Sequence, residues 1–263
     1  MTKIAYKDRP NGYVIYRGPS MIDGKPIVVI ATGFRDKTSN TKTGTMIQTW
    51  IMREDIHPQE AIHTGDDFSV CGGCKHRGTI VDGKNKNRTC YVTLFQAPAN
   101  VWKSQKRGIY PDIAPNYLAN GIFKNRFVRV GSYGDPAAVP VYIWKAILKH
   151  ASGNTGYTHH WRTASLEFKN FLMASADTVD DAFEAKALGY RTFRVRGDAE
   201  PLLKNEIACP ASKEMDYKTT CNACKGCGGI GSKAKVSFAI MDHGPIARMK
   251  RMQEERKAAK KAA

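Results

Sequence analysis

From about residue 89 onward, short apolar runs alternate with amphipathic stretches, and that alternation limits the folds open to the chain. Cys90–Phe95 reads as a strand and Pro98–Lys106 as a helix with proline near its start. Arg126–Val130 reads as a strand and Val139–Ala151 as a helix, followed by a short strand at Thr155–Thr158 and a short helix at Thr163–Lys169. Phe171–Ala174 reads as a strand. A helix opened by Asp177 and Thr178 then carries Asp180, Asp181 and Glu184 early, where carboxylates suit the helix dipole, and stops at Gly189. Arg191–Val195, Glu206–Cys209 and Lys235–Ile240 read as further strands. Strands alternating with helices imply βαβ units and a parallel sheet.

Before this region, Ile27–Ala31 and Met46–Ile51 read as strands, separated by a polar loop over Arg35–Gly44. Counting Ile27–Ala31 with the later strands gives eight in a chain of 263 residues, a size that fits a (β/α)8-like barrel, complete or with part of its wall missing. An open doubly wound sheet has the same local pattern. No glycine-rich phosphate loop follows a strand, which weakens that alternative. The expected organisation is one α/β domain over 1–245, irregular at its N-terminal end, with a basic helix or tail over 246–263.

Seven cysteines fall in two groups: Cys71, Cys74 and Cys90, then Cys209, Cys221, Cys224 and Cys227. The N-terminus lacks the apolar core of a signal peptide, and an odd cysteine count in such a chain points to metal or redox chemistry rather than disulfides. The second group has two CxxC steps in series in a glycine-containing loop, with Lys213, Lys218 and Lys225 nearby to offset negative charge. Four thiolates there suit tetrahedral zinc or, equally, a 4Fe-4S cluster. The first group, with His76 or His63 as a fourth ligand, suits a second zinc; Cys90 alternatively reads as a buried residue of its own strand.

The charge narrows the partners. Lys and Arg number 41 against 24 Asp and Glu, a net +17. Seven cations and two acids from Arg248 onward account for five of these, so an excess of twelve stays on the body. Such a surface attracts polyanions, nucleic acid above all, and DNA is the expected partner ahead of RNA. No apolar run of membrane-spanning length occurs, so no membrane partner is expected.

A barrel places its site at the C-terminal ends of its strands. There the chain carries Asp135, His159 with His160, Asp177, Asp198 and Cys209. Asp135 before Pro136 also reads as a helix cap, Asp177 as an N-cap, and one of the two histidines as structural. Arg162 and Arg196 are candidates to hold phosphates and Tyr157 or Trp161 to stack on an extruded base. Lys103, Lys106 and Arg107 present a cationic helix end beside Trp102.

CGGCKHRG at 71–78, RTCYVTLFQAP at 88–98, RVGSYGDPAAVP at 129–140, TGYTHHWR at 155–162, GYRTFRV at 189–195 and CPASKE…TTCNACKGCGG at 209–229 together resemble an uncharacterised family of bacteriophage and prophage proteins. The resemblance spans roughly residues 25–240 and implies a chain working in the cytoplasm of a bacterial host. In outline the pattern is also similar to the guanine transglycosylases, zinc-bearing barrels that insert deazaguanine bases into nucleic acid, and to radical S-adenosylmethionine-like phage proteins. It lacks the CxC-then-CxxC spacing of the first and the CxxxCxxC of the second, so both are analogies of fold. They imply a transferase acting by base exchange, in which Asp135, with Asp177 or Asp198 second, attacks the sugar or serves as base while His159 and His160 orient or protonate the substrate. The rival expectations are a zinc-stabilised DNA-binding protein without activity and an iron–sulfur enzyme.

Overall fold

The computed structural model describes residues 10–35, 41, 43–113, 121–197 and 200–242. Nine strands form one sheet. β1 (Gly12–Pro19), β2 (Pro26–Thr32) and β3 (Ile47–Arg53) make an antiparallel edge. β6 (Phe127–Tyr133), β7 (Gly153–Thr158), β8 (Met173–Ala176), β9 (Thr192–Arg196), β11 (Ser237–Met241) and β10 (Glu206–Ala208) then follow β3 in that order, all parallel. β4 (Thr79–Val81) and β5 (Lys84–Lys86) form a separate hairpin. The fold is therefore mixed α/β around a mostly parallel sheet. Among the described residues the pairing runs from β1 to β10 without returning to its start.

Among the described residues the helices are α1 (Pro58–Thr64), α2 (Phe68–Cys71), α3 (Ala97–Lys106), α4 (Val141–Leu148), α5 (Val179–Ala187) and α6 (Cys221–Cys224). Trp144 and Ile147 of α4 and Ala185 of α5 pack with Val128, Val130, Leu172 and Ala174 in the main core. Alternation along each strand sends the intervening side chains to the other face. There Met173, Phe238 and Cys227 form a second, smaller cluster with Tyr157 and Phe193. None of the helices among the described residues is long and apolar enough to cross a membrane.

Several expected elements differ. Cys90–Phe95 is not a strand: the Cys90 N–H donates to His76 O, Arg88 holds the carbonyls of Cys90 and Val92, and Tyr91 and Phe95 are exposed. The strand expected from Phe171 begins at Met173, because Phe171 and Leu172 donate to Phe168 O and close a 3-10 turn over Leu166–Asn170. That turn replaces the helix expected from Thr163. The helix expected from Val139 starts after Pro140, since Val139 closes a 3-10 turn over Pro136–Ala138. α5 is as expected, but its cap is Thr178, whose hydroxyl accepts from the Asp181 N–H. The Arg35–Gly44 loop is described only at Arg35, Thr41, Thr43 and Gly44, and the tail over 246–263 lies outside the described residues.

Candidate metal and substrate cavity

A cavity of about 280 Å3 lies against the face of the sheet that carries Tyr157 and Phe193. Arg129 of β6, Tyr157 of β7, Ser175 of β8 and Phe193 of β9 form its floor. Members of the two cysteine groups, far apart in sequence, both line it: Cys71, Cys74 and Cys90 from the first, Cys209 and Cys221 from the second.

The first group hangs on a tight knuckle. α2 ends at Cys71, and Gly72 turns the chain at φ 54°. A Cβ on Gly72 would meet the His160 ring at 2.1 Å, so only glycine lets that imidazole reach Cys71 O, 3.2 Å from its Nε2. His160 thus packs against the knuckle, outside the lining of the cavity. His159 points the other way. Its Nε2 lies 3.8 Å from Cys74 Sγ and 3.8 Å from Asp177 Oδ1. Burial favours the neutral ring, but Asp177 and Cys74 outweigh it and push the His159 pKa well up. His76 stands between Thr89 Oγ1, 2.7 Å from its Nδ1, and Asp177 Oδ1, 2.9 Å from its Nε2. Burial alone would raise the Asp177 carboxyl; hydrogen bonds from His159 and His76 hold it well below the usual carboxylate range. Burial pushes the Cys71 and Cys90 thiols up, and repulsion from Cys74 adds to it.

The second group adjoins this cavity, sharing Tyr157, Cys209 and Cys221 with it. Cys209 follows β10 and its N–H donates to Ala239 O. Thr220 caps α6, and Lys225 then takes a left-handed turn at φ 54°. The Cys227 carbonyl accepts from Gly156 of β7 at 3.1 Å. Gly229, at φ 63°, lies so close that a Cβ there would be 2.5 Å from Lys169 O. Arg191 threads the loop, donating to Gly226 O at 3.0 Å and Gly229 O at 2.8 Å. All four cysteines line a small second cavity of about 20 Å3. Burial and the neighbouring thiols push Cys227 up to about 12, against a lowering hydrogen bond from Tyr157. A metal entering here must therefore displace protons.

The remaining expected residues fall in different surroundings. Asp135 is 7 % exposed and caps the turn after β6. Its Oδ1 accepts from Ala137 N–H and the Thr158 hydroxyl, and its Oδ2 from the His159 N–H. Asp135→Asn is expected to lower stability by about 1–3 kcal/mol, because an amide NH2 would face one of these donors and leave it unpaired; chemical denaturation checks this. Asp198 lies outside the described residues. Trp161 is 1 % exposed and gives its indole N–H to Ser175 O, so it is a core residue and not a stacking platform. Arg162 lies over the Trp161 ring and stays exposed, its charge shared with Asp181 and Glu184, while Arg196 is buried and pairs with Glu214 and Glu200 O. Tyr157 does face the cavity, its ring 4.6 Å from that of Phe193. Lys103, Lys106 and Arg107 lie exposed along α3 and just beyond it, with Lys106 over the Trp102 ring at 5.2 Å.

Sequence reasoning missed Arg129. It stands in the cavity wall with the Tyr91 hydroxyl at 2.9 Å and the Tyr157 ring at 5.8 Å, and no carboxylate pairs with it among the described residues. The available signal was a lone cation between Val128 and Val130. No protein-family model, curated protein or solved structure matches this chain.

Proposed function

We propose that the chain is a metal-dependent enzyme that modifies a base of nucleic acid, working in the cavity of an incomplete (β/α)8-like barrel. The observation that carries the reading is that members of both cysteine groups line one cavity against the parallel part of the sheet. The same lining includes Asp135, His159 and Cys209, just past the C-terminal ends of β6, β7 and β10, where parallel α/β folds keep their reactive sites. The cavity is close to the small end of known ligand sites, about 300 Å3. Its wall offers Tyr157 and Phe193 for stacking and Arg129 for a carbonyl or phosphate oxygen. The net charge of +17 favours a polyanionic substrate, DNA first.

In the base-exchange form of the reaction an aspartate attacks the sugar. Asp135 would have to give up three hydrogen bonds to do so, which counts against it as nucleophile. The thiol and imidazole groups facing the cavity, among them Cys71, Cys74, His76 and His159, support metal-assisted chemistry instead: they would hold the ion, which would supply a Lewis acid for the base or for water. Zinc is the simplest occupant, and a 4Fe-4S cluster on Cys209, Cys221, Cys224 and Cys227 is the alternative.

The test is nucleoside mass spectrometry of DNA and RNA from cells expressing the chain or its Cys74→Ser variant. A modified nucleoside with the wild type alone is expected. Unmodified nucleic acid in both would overturn the enzymatic reading in favour of a metal-stabilised binding protein.

A further inference from the structure

We propose that His76, His159 and Asp177 bind a divalent first-row transition-metal ion at the edge of the cavity, with the Cys74 thiol beside it as a further ligand. The inference rests on the metal-dependent reading above and regroups two ligands of the expected first zinc site: His76 and Cys74 join His159 and Asp177 in place of Cys71 and Cys90. Among the described residues, these three are the one group of imidazole, thiol or carboxylate side chains whose donor atoms all lie within 4.8 Å of one another. Ligand bonds of about 2.0–2.2 Å set neighbouring donors about 3–4 Å apart. Here Asp177 Oδ1 lies 2.9 Å from His76 Nε2 and 3.8 Å from His159 Nε2, and Cys74 Sγ is 3.8 Å from His159 Nε2.

Three separate pieces of chain are brought together to make this group. His159 follows β7, Asp177 follows β8, and His76 comes from the 3-10 turn over Lys75–Arg77. His76 and Asp177 are also held from behind. The Thr89 hydroxyl on His76 Nδ1 turns Nε2 toward Asp177, the kind of outer contact that orients a ligating imidazole. The Asp177 N–H donates to Asp181 Oδ2 at 3.0 Å, fixing that residue at the start of α5. Both imidazoles and Cys74 line the cavity, and Asp177 does not. An ion held this way keeps its open positions toward the substrate, as a catalytic site requires. Two imidazoles, a carboxylate and a thiol suit zinc, ferrous or cobaltous ions better than magnesium or calcium. Asp177 also has Lys75 at 3.5 Å, so an ion pair without metal is the rival account.

The full chain is treated with diethylpyrocarbonate with and without added Zn2+, and the modified histidines are mapped by peptide mass spectrometry. His63, which is exposed and outside the group, serves as the internal control. Zinc is expected to protect both His76 and His159 and to leave His63 unchanged. In parallel, His159→Ala and Asp177→Asn are each expected to bind one metal ion fewer than the wild type. Equal modification of His76 or His159 with and without zinc overturns the site, as does an unchanged metal content in both variants. Either result would leave the cysteine groups, and the enzymatic reading built on them, to be judged by the nucleoside analysis alone.

Discussion

Cys224→Ser is expected to release the metal held by the second cysteine group and to lower the unfolding free energy by several kcal/mol. The loop from Cys221 to Gly229 has little apolar material of its own; it is pinned by Arg191, by the Gly156 N–H and by Gly229 pressed on the backbone at Lys169. A metal there would tie Cys209, beside β10, to α6 and to Cys227 under β7. Binding energy in such sites is folding energy, because the ligands do not converge in the unfolded chain. Metal content by elemental analysis and urea unfolding with and without chelator check this. Wild-type protein whose stability ignores the chelator would refute it.

Affinity for nucleic acid is expected to fall about a thousandfold between about 50 and 200 mM salt, if Lys and Arg neutralise about six phosphates. The body keeps an excess of twelve cations when residues 248–263 are removed, so truncation should weaken binding and reduce the salt slope without abolishing either. The structure restricts which cations serve. Arg162, Arg194 and Arg196 are committed to acidic partners. Lys103, Lys106 and Arg107 are exposed and available. Changing these three to Ala should lower the slope, whereas changing Arg162 should leave it nearly unaltered. Fluorescence anisotropy across a salt series measures both, and flat salt dependence would contradict a nucleic-acid substrate.

Much of the parallel sheet was legible because its strands are apolar, short and bounded by turn residues. β6, β7, β9 and α5 lie where their pattern and caps put them. β10 and β11 were also legible as strands, but not their order, since β11 inserts between β9 and β10 through pairings that no local pattern encodes. β1 was missed: Gly12 and Pro19 bound it, and a bulge between Val14 and Tyr16 interrupts its alternation. Cys90–Phe95 has the composition of a strand, yet its backbone bonds go to His76 and Arg88. At the site, spacing identified the cysteines because a CxxC step is local. The roles of Asp135, Arg162 and Arg196 depend on partners distant in sequence: Thr158 and His159, Glu184, and Glu214. The same is true of the approach of His159 to Cys74 and Asp177.

Metal analysis of the full chain purified without oxygen, read with its visible spectrum, tests the central claim most directly. Bound zinc with a colourless protein, or bound iron with absorbance near about 400 nm from thiolate ligation, is the predicted result, and Cys224→Ser should lose part of that metal while the rest stays. A folded wild-type protein that binds nucleic acid yet carries no zinc or iron, and takes up none when they are supplied, would contradict it.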